Sequence, residues 1–225
     1  MSNNPSKERS ALRRIARDPL SRRRFLAVTG STGAAGLLVA CGDDDDEDTA
    51  ATSETTTTEA EDMASQFGEG DLGIVNYALT LEYLEAAFYD DVAKSGLFKG
   101  DDLALIKQIG QAEQEHVDAL VATAKQLGGP PADAPKAEFP LDDAQSVLEL
   151  AATVENLGAA AYLGQAASIE SPDILAAALS IHSVEGRHAA VLNTLTDQPP
   201  TPDGAFAMPA DMQTVLDEVQ PFIAS

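Results

Sequence analysis

Two short motifs, Glu113-Gln114-Glu115-His116 and Glu185-Gly186-Arg187-His188, each set a carboxylate and an imidazole three residues apart. On a helix that spacing puts both groups on one face. A further glutamate precedes each pair: Glu82 lies 31 residues before Glu113, and Glu155 lies 30 residues before Glu185. All four glutamates stand where an apolar stripe should continue. The stripes read Val75, Ala78, Glu82, Glu85, Tyr89; Ile106, Ile109, Glu113, His116, Leu120; Leu148, Ala151, Glu155, Gly158, Tyr162; and Ile174, Ala178, Ile181, Glu185, His188, Leu192. Four acids are thus aimed at a common interior. Leaving even one buried charge unpaired costs several kcal/mol, against a domain stability of roughly 5–15 kcal/mol. No lysine or arginine falls on these stripes. Two divalent cations would balance four carboxylates in charge. Mixed oxygen and imidazole donors suit iron or manganese, and zinc is also compatible.

Several neighbours compete for these roles. Glu85 shares the inward face with Glu82, but its counterpart in the second half is Gly158 and it has no tyrosine seven residues on. Glu82 is therefore preferred as the ligand, with Glu85 as the alternative. Glu115 and Glu149 fall on other faces and are read as solvated. His182, one turn before Glu185, is read as a surface or supporting residue, and Phe88 and Phe98 as core.

Helices must carry these stripes. Abundant alanine and leucine, an aromatic content of 5% and no tryptophan favour helix over strand. Helical periodicity predicts segments at about 71–94, 101–127, 141–168 and 171–197. Asp101 or Asp102 is expected to cap the second, Asp142 or Asp143 to start the third, and Ser171-Pro172 to open the fourth. Gly128-Gly129-Pro130-Pro131 stops the second helix and begins a long proline-rich link. The expected fold is all-α, a four-helix bundle with its one long crossover between helices 2 and 3. A short C-terminal helix near 212–219 should pack on it. The halves repeat each other: Glu82 to Tyr89 aligns with Glu155 to Tyr162, and the two Glu-x-x-His motifs align. A duplicated hairpin implies a pseudo-two-fold axis through the middle of the bundle.

These residues resemble the ferritin-like di-iron carboxylate family, over about residues 70–197. The family signature is one glutamate from each of two helices and a Glu-x-x-His from each of the other two. By that resemblance Glu113 and Glu185 bridge two iron ions, or two manganese ions or a mixed pair. Glu82 with His116 completes one ion's shell, and Glu155 with His188 the other's. Tyr89 and Tyr162 match the family's Glu-x6-Tyr pattern and should orient a carboxylate by hydrogen bonding. The resemblance implies an oxidase, ferroxidase or peroxide-handling activity with oxygen or peroxide as oxidant. A non-catalytic role, as in similar desiccation-related ferritin-like proteins, is the alternative, and manganese catalase-like activity comes third.

The N-terminal part reads differently. Ser21-Arg22-Arg23-Arg24-Phe25-Leu26 is similar to a twin-arginine export signal, with Arg22 and Arg23 as the pair. The moderately apolar stretch from Phe25 to Ala40 is too short and weak to span a membrane. Leu38-Val39-Ala40-Cys41 resembles a bacterial lipobox, whose cysteine is lipidated and becomes the first mature residue. Residues 1–40 are expected to be a signal peptide, 41–68 an acidic tether behind the lipidated Cys41, 69–198 the bundle and 199–225 the tail. The mature protein would be held at the outer face of the bacterial cell membrane, and an oligomer is compatible with that placement. From Cys41 onward six basic residues face 35 acidic ones, which disfavours nucleic acid as a partner. With Cys41 the sole cysteine, an intramolecular disulfide and a cysteine-bound iron–sulfur centre are both excluded.

Overall fold

In the computed structural model, residues 66–224 are described, and Arg22, Arg23 and Cys41 lie outside them. Four long helices, α1 (Gly70–Lys94), α2 (Gly100–Gln126), α3 (Ala144–Gln165) and α4 (Pro172–Leu195), are followed by the short α5 (Met212–Val219). No strand occurs among the described residues, and the fold is the expected all-α bundle. α1 packs along α2 and α3 along α4, while α1 and α3 also meet. Among the described residues no helix is long and apolar enough to cross a membrane.

Local chemistry explains most helix ends. Asp143 caps α3, its carboxylate accepting from the Gln145 and Ser146 amides at 2.9 and 3.0 Å. Ser171 caps α4 ahead of Pro172, and Asp211 caps α5. The start of α2 departs from expectation. Its cap is Lys99, with no side-chain hydrogen bond, and Asp101 and Asp102 sit inside the first turn. Gly100 adopts φ +59°, which bends the chain into the helix ahead of the aspartates. Their charges still favour the positive end of the helix dipole. α3 is also shorter than its apolar pattern, because Ala166–Ser168 tightens into a 3-10 turn.

The link between α2 and α3 is tied down at two places. Asn76 of α1 accepts from the Ala132 amide and donates to the Phe67 and Pro130 carbonyls. Farther on, Ala137 pairs antiparallel with Ile223, and Glu138 donates to the Phe222 carbonyl at 2.9 Å. The C-terminal segment therefore does more than pack as a helix: it straps the crossover to the bundle. α5 packs on α3 and reaches α1, with Val215 and Val219 in one cluster with Tyr77, Leu81, Leu84 and Ala161. Two further clusters fill the bundle. One surrounds Phe88, Tyr89, Ile106 and Leu192, and the other surrounds Val75, Leu120, Tyr162 and Ile181. The four stripe glutamates lie between them in sequence and on the same faces.

Candidate metal centre

Glu82, Glu113, Glu155 and Glu185 are each 0% exposed, and Glu85 is 3% exposed. The helical faces read from the sequence thus point inward, one glutamate from each long helix. Potential donor atoms fall into two groups of four. Glu82, Glu113, His116 and Glu185 form one, and Glu113, Glu155, Glu185 and His188 form the other, with the atoms of each group within 4.8 Å of one another. Glu113 and Glu185 belong to both groups.

Both histidines present Nδ1 to the carboxylates. His116 Nδ1 lies 2.8 Å from Glu113 and 3.2 Å from both Glu82 and Glu185. His188 Nδ1 lies 2.9 Å from Glu113 and 3.3 Å from Glu155. Glu113 touches one histidine with each oxygen, Oε2 with His116 and Oε1 with His188. His116 Nδ1 is hydrogen-bonded to Glu82 and Glu113, but its approach to Glu185 and the two approaches of His188 are proximity without a hydrogen bond. Glu113 Oε1, Glu155 Oε2, both Glu185 oxygens and His188 Nδ1 are buried without a hydrogen-bond partner. Buried polar atoms are seldom left so. Five such atoms converging on one region, although close enough to bond, share a space rather than bonding one another. That donor set fits divalent cations, which satisfy oxygen and imidazole lone pairs together.

Tyrosines hold the outer two glutamates from behind, and they cross between the halves. Tyr162 of α3 donates to Glu82 Oε1 of α1 at 2.6 Å, and Tyr89 of α1 donates to Glu155 Oε1 of α3 at 2.5 Å. Each carboxylate therefore gives Oε1 to a tyrosine and turns Oε2 towards a histidine. Gly110 allows the close approach this needs, since a Cβ there would lie 2.8 Å from Tyr89 Cβ.

Glu85 occupies another place. A Cβ on Gly158 would come within 2.8 Å of Glu85 Oε1 and 3.3 Å of Glu185 Oε2. Glu85 thus uses the space that its pseudo-symmetric counterpart leaves by lacking a side chain, and it belongs to neither donor group. His182 is also apart from both groups; its Nδ1 donates to the Ala159 carbonyl at 2.9 Å. Glu115 and Glu149 are exposed, and Phe88 and Phe98 are core.

Electrostatics reflect the crowding. Burial pushes Glu82 up to about 7, with the Glu113 charge adding to it and His116 and Tyr162 opposing. Burial, then the Glu185 charge, holds the Glu85 carboxyl well above the usual range. Glu185 is raised for the same first reason. Burial also acts on Glu113, but the two imidazoles outweigh it and lower its pKa. Burial pulls both histidines down, yet the surrounding carboxylates win and push His116 up to about 12 and His188 to about 9. Without metal, protons are what keep the acids together.

The profile of a family described as a ferritin-like domain matches residues 70–198, more than half of the chain and the whole of the four-helix bundle. The chain belongs to the ferritin-like domain family. No curated protein matches it significantly. Among solved structures, a conserved hypothetical protein, rv2844, from Mycobacterium tuberculosis is similar in fold, with a TM-score of 0.51 and 21% identity. The likeness covers 63% of this chain and 95% of that one. For this ferritin-like domain, the glutamates and histidines of the bundle interior could hold metal ions.

Proposed function

We propose that the ferritin-like domain binds two iron ions and acts as an oxidase of ferroxidase or peroxide-handling type. The observation that carries this reading is the sharing of Glu113 and Glu185 by both donor groups. Glu113 and Glu185 would bridge the ions, Glu82 and His116 would complete one shell, and Glu155 and His188 the other. When bound, paired iron ions supply the electrons that reduce a small oxidant.

The residues contribute binding, orientation and control of protons. Tyr162 and Tyr89 fix Glu82 and Glu155 so that Oε2 of each faces the histidines. Such supporting hydrogen bonds set ligand direction and basicity. Metal ligands must be deprotonated, so loading would compete with protons at His116, His188 and Glu82, whose proton affinities are all raised. Glu85, whose carboxyl burial and the Glu185 charge push towards its protonated form, fills the space beside Gly158 within the buried site. The histidine side chains keep 12% and 15% of their surface exposed, so the site is not sealed from small molecules.

The placement at the outer face of the membrane is part of the same proposal. It rests on Arg22, Arg23 and Cys41 in the sequence, with the tether setting the domain off the surface. The test is metal content and iron-dependent oxygen or peroxide consumption of protein purified without chelators. Two iron ions per chain with turnover, both lost in Glu113→Ala, are expected. Stoichiometric metal without turnover would replace this reading with a structural role for the metal pair.

A further inference from the structure

The two Glu-x-x-His helices, α2 and α4, are counterparts in the internal duplication, yet their outward faces differ. α2 exposes six charged side chains between Asp101 and Lys125. The alignment of Glu113 with Glu185 gives each outward position of α2 a counterpart on α4. Lys107, Gln111, Gln114 and Asp118 are answered by Leu179, Ser183, Gly186 and Ala190. Ala119 and Thr123 are answered by the larger, apolar Val191 and Leu195. Leu179, Val191 and Leu195 are 43%, 44% and 43% exposed, and no other long helix exposes a large apolar side chain among the described residues. Exposed apolar groups gathered on one face mark a contact surface. Two charges remain on the outward face of α4, Asp173 and Arg187, and they cancel. Neither side chain has an ion-pair or hydrogen-bonding partner among the described residues.

We propose that this face docks against the same face of a second copy, with the two α4 helices antiparallel. Asp173 and Arg187 are fourteen residues apart, about 21 Å along a helix and close to a whole number of turns, so they lie on one side. A second helix turned end for end sets its Arg187 against Asp173 and its Asp173 against Arg187. The two-fold axis then passes Ser180, midway between them. Steps of seven residues, from Asp173 to Ser180 to Arg187, are the spacing that keeps a seam between two helices in register. Ala176, Ala177 and Ser183 flank Ser180 and are short enough for close approach, while Val191 and Leu195 continue the side beyond Arg187. Charge selects the occupant. From Cys41 onward six basic residues stand against 35 acidic ones. Two copies therefore repel over most of their surface, and an anionic lipid surface repels the chain as well. A basic protein would be drawn to the acidic faces rather than to this neutral one. A second copy brings apolar cover and one charge of each sign at the matching separation. The inference is independent of what the metal centre does.

The test uses the full chain with Cys41→Ser, which removes the thiol read as the acyl attachment point, and follows particle mass by sedimentation. Two copies per particle are expected. Asp173→Arg and Arg187→Asp should each weaken self-association by about tenfold or more, because like charges then meet at both ends of the seam. Mixed in equal amounts, the two variants should pair again as one of each, a rescue that requires this face to meet itself antiparallel. Ser180→Cys in the same background should be linked to its own copy by a short bismaleimide, and this readout stands in if a charge reversal unfolds the chain. Single copies throughout a dilution series, association indifferent to both reversals, or no pairing in the mixture would overturn the proposal. So would single copies that bind phospholipid vesicles and lose that binding in Val191→Lys, which would give the face to the membrane instead.

Discussion

The Tyr162 hydroxyl donates to Oε1 of Glu82, a residue 80 positions away on the other helical hairpin, at 2.6 Å. Tyr89 does the same for Glu155 across 66 positions. Each half of the duplicated bundle therefore orients the outer glutamate of the other half. The two hairpins are joined through the site itself, so hairpin docking and ligand geometry are one event.

Removing one of these hydroxyls should weaken the site without emptying the core. Tyr162→Phe keeps the ring among Val75, Leu120 and Ile181 but leaves a fully buried carboxylate oxygen without its donor. Loss of such a supporting partner typically costs about 10–100-fold in metal affinity. Competition titration of iron against a chelator measures it, with Tyr89→Phe expected to behave alike. Unchanged affinity in both would show that the tyrosines serve packing alone.

Glu82 and Glu85 can be told apart with isosteric amides. Glu85 is pushed towards its protonated form by burial and lies outside both donor groups. Glu85→Gln is accordingly expected to keep two ions per chain, and Glu82→Gln to lose one. Metal analysis after gel filtration reads the difference. The reverse pattern would make Glu85 the ligand.

Gly110→Ala probes the contact of α1 with α2. A Cβ there would meet Tyr89 Cβ at 2.8 Å, where neither atom is the free end of a flexible side chain. Overpacking costs about 1–3 kcal/mol and should exceed the helix-propensity gain of at most about 1 kcal/mol. Thermal melting should show a lower Tm and a weaker grip on metal, because Tyr89 is displaced from Glu155. A raised Tm would mean that the helices separate at no cost.

The metal-free protein should lose stability as pH rises. His188 is raised from 6.5 to about 9, so its contribution is complete below pH 6.5 and lost as pH climbs through about 9. Glu82 is an acid raised from 4.5 to about 7, so the folded form also holds its proton more tightly, and that contribution fades between those values. Glu113 has the opposite sign, being lowered, and matters only as pH falls below its ordinary 4.5. Melting without metal between pH 5 and 9 should therefore show a falling Tm. With iron the protons are displaced, and the gain in Tm on loading should widen with pH. Parallel curves for loaded and unloaded protein would contradict a shared site for protons and metal.

Much of this was readable from residue spacing. Period-3.6 stripes carry Glu82, Glu113, Glu155 and Glu185 inward because the other residues on those faces, apart from Glu85, His116 and His188, are mostly apolar or small. Glycine and proline at 128–131 end α2 regardless of tertiary context. The missing parts depend on contacts between distant segments. The crossing of Tyr89 to Glu155 follows from how the hairpins dock, and the Ala137–Ile223 pairing joins a loop to a tail that share no periodic signal. The placement of α2's aspartates turned on the backbone of one residue, Gly100.

Anomalous scattering from an iron-loaded crystal, collected on either side of the iron edge, bears most directly on the centre. Two iron ions about 3.5–4 Å apart, with Glu113 and Glu185 each contacting both, are the expected result. A single ion, or two that do not share these glutamates, would contradict it.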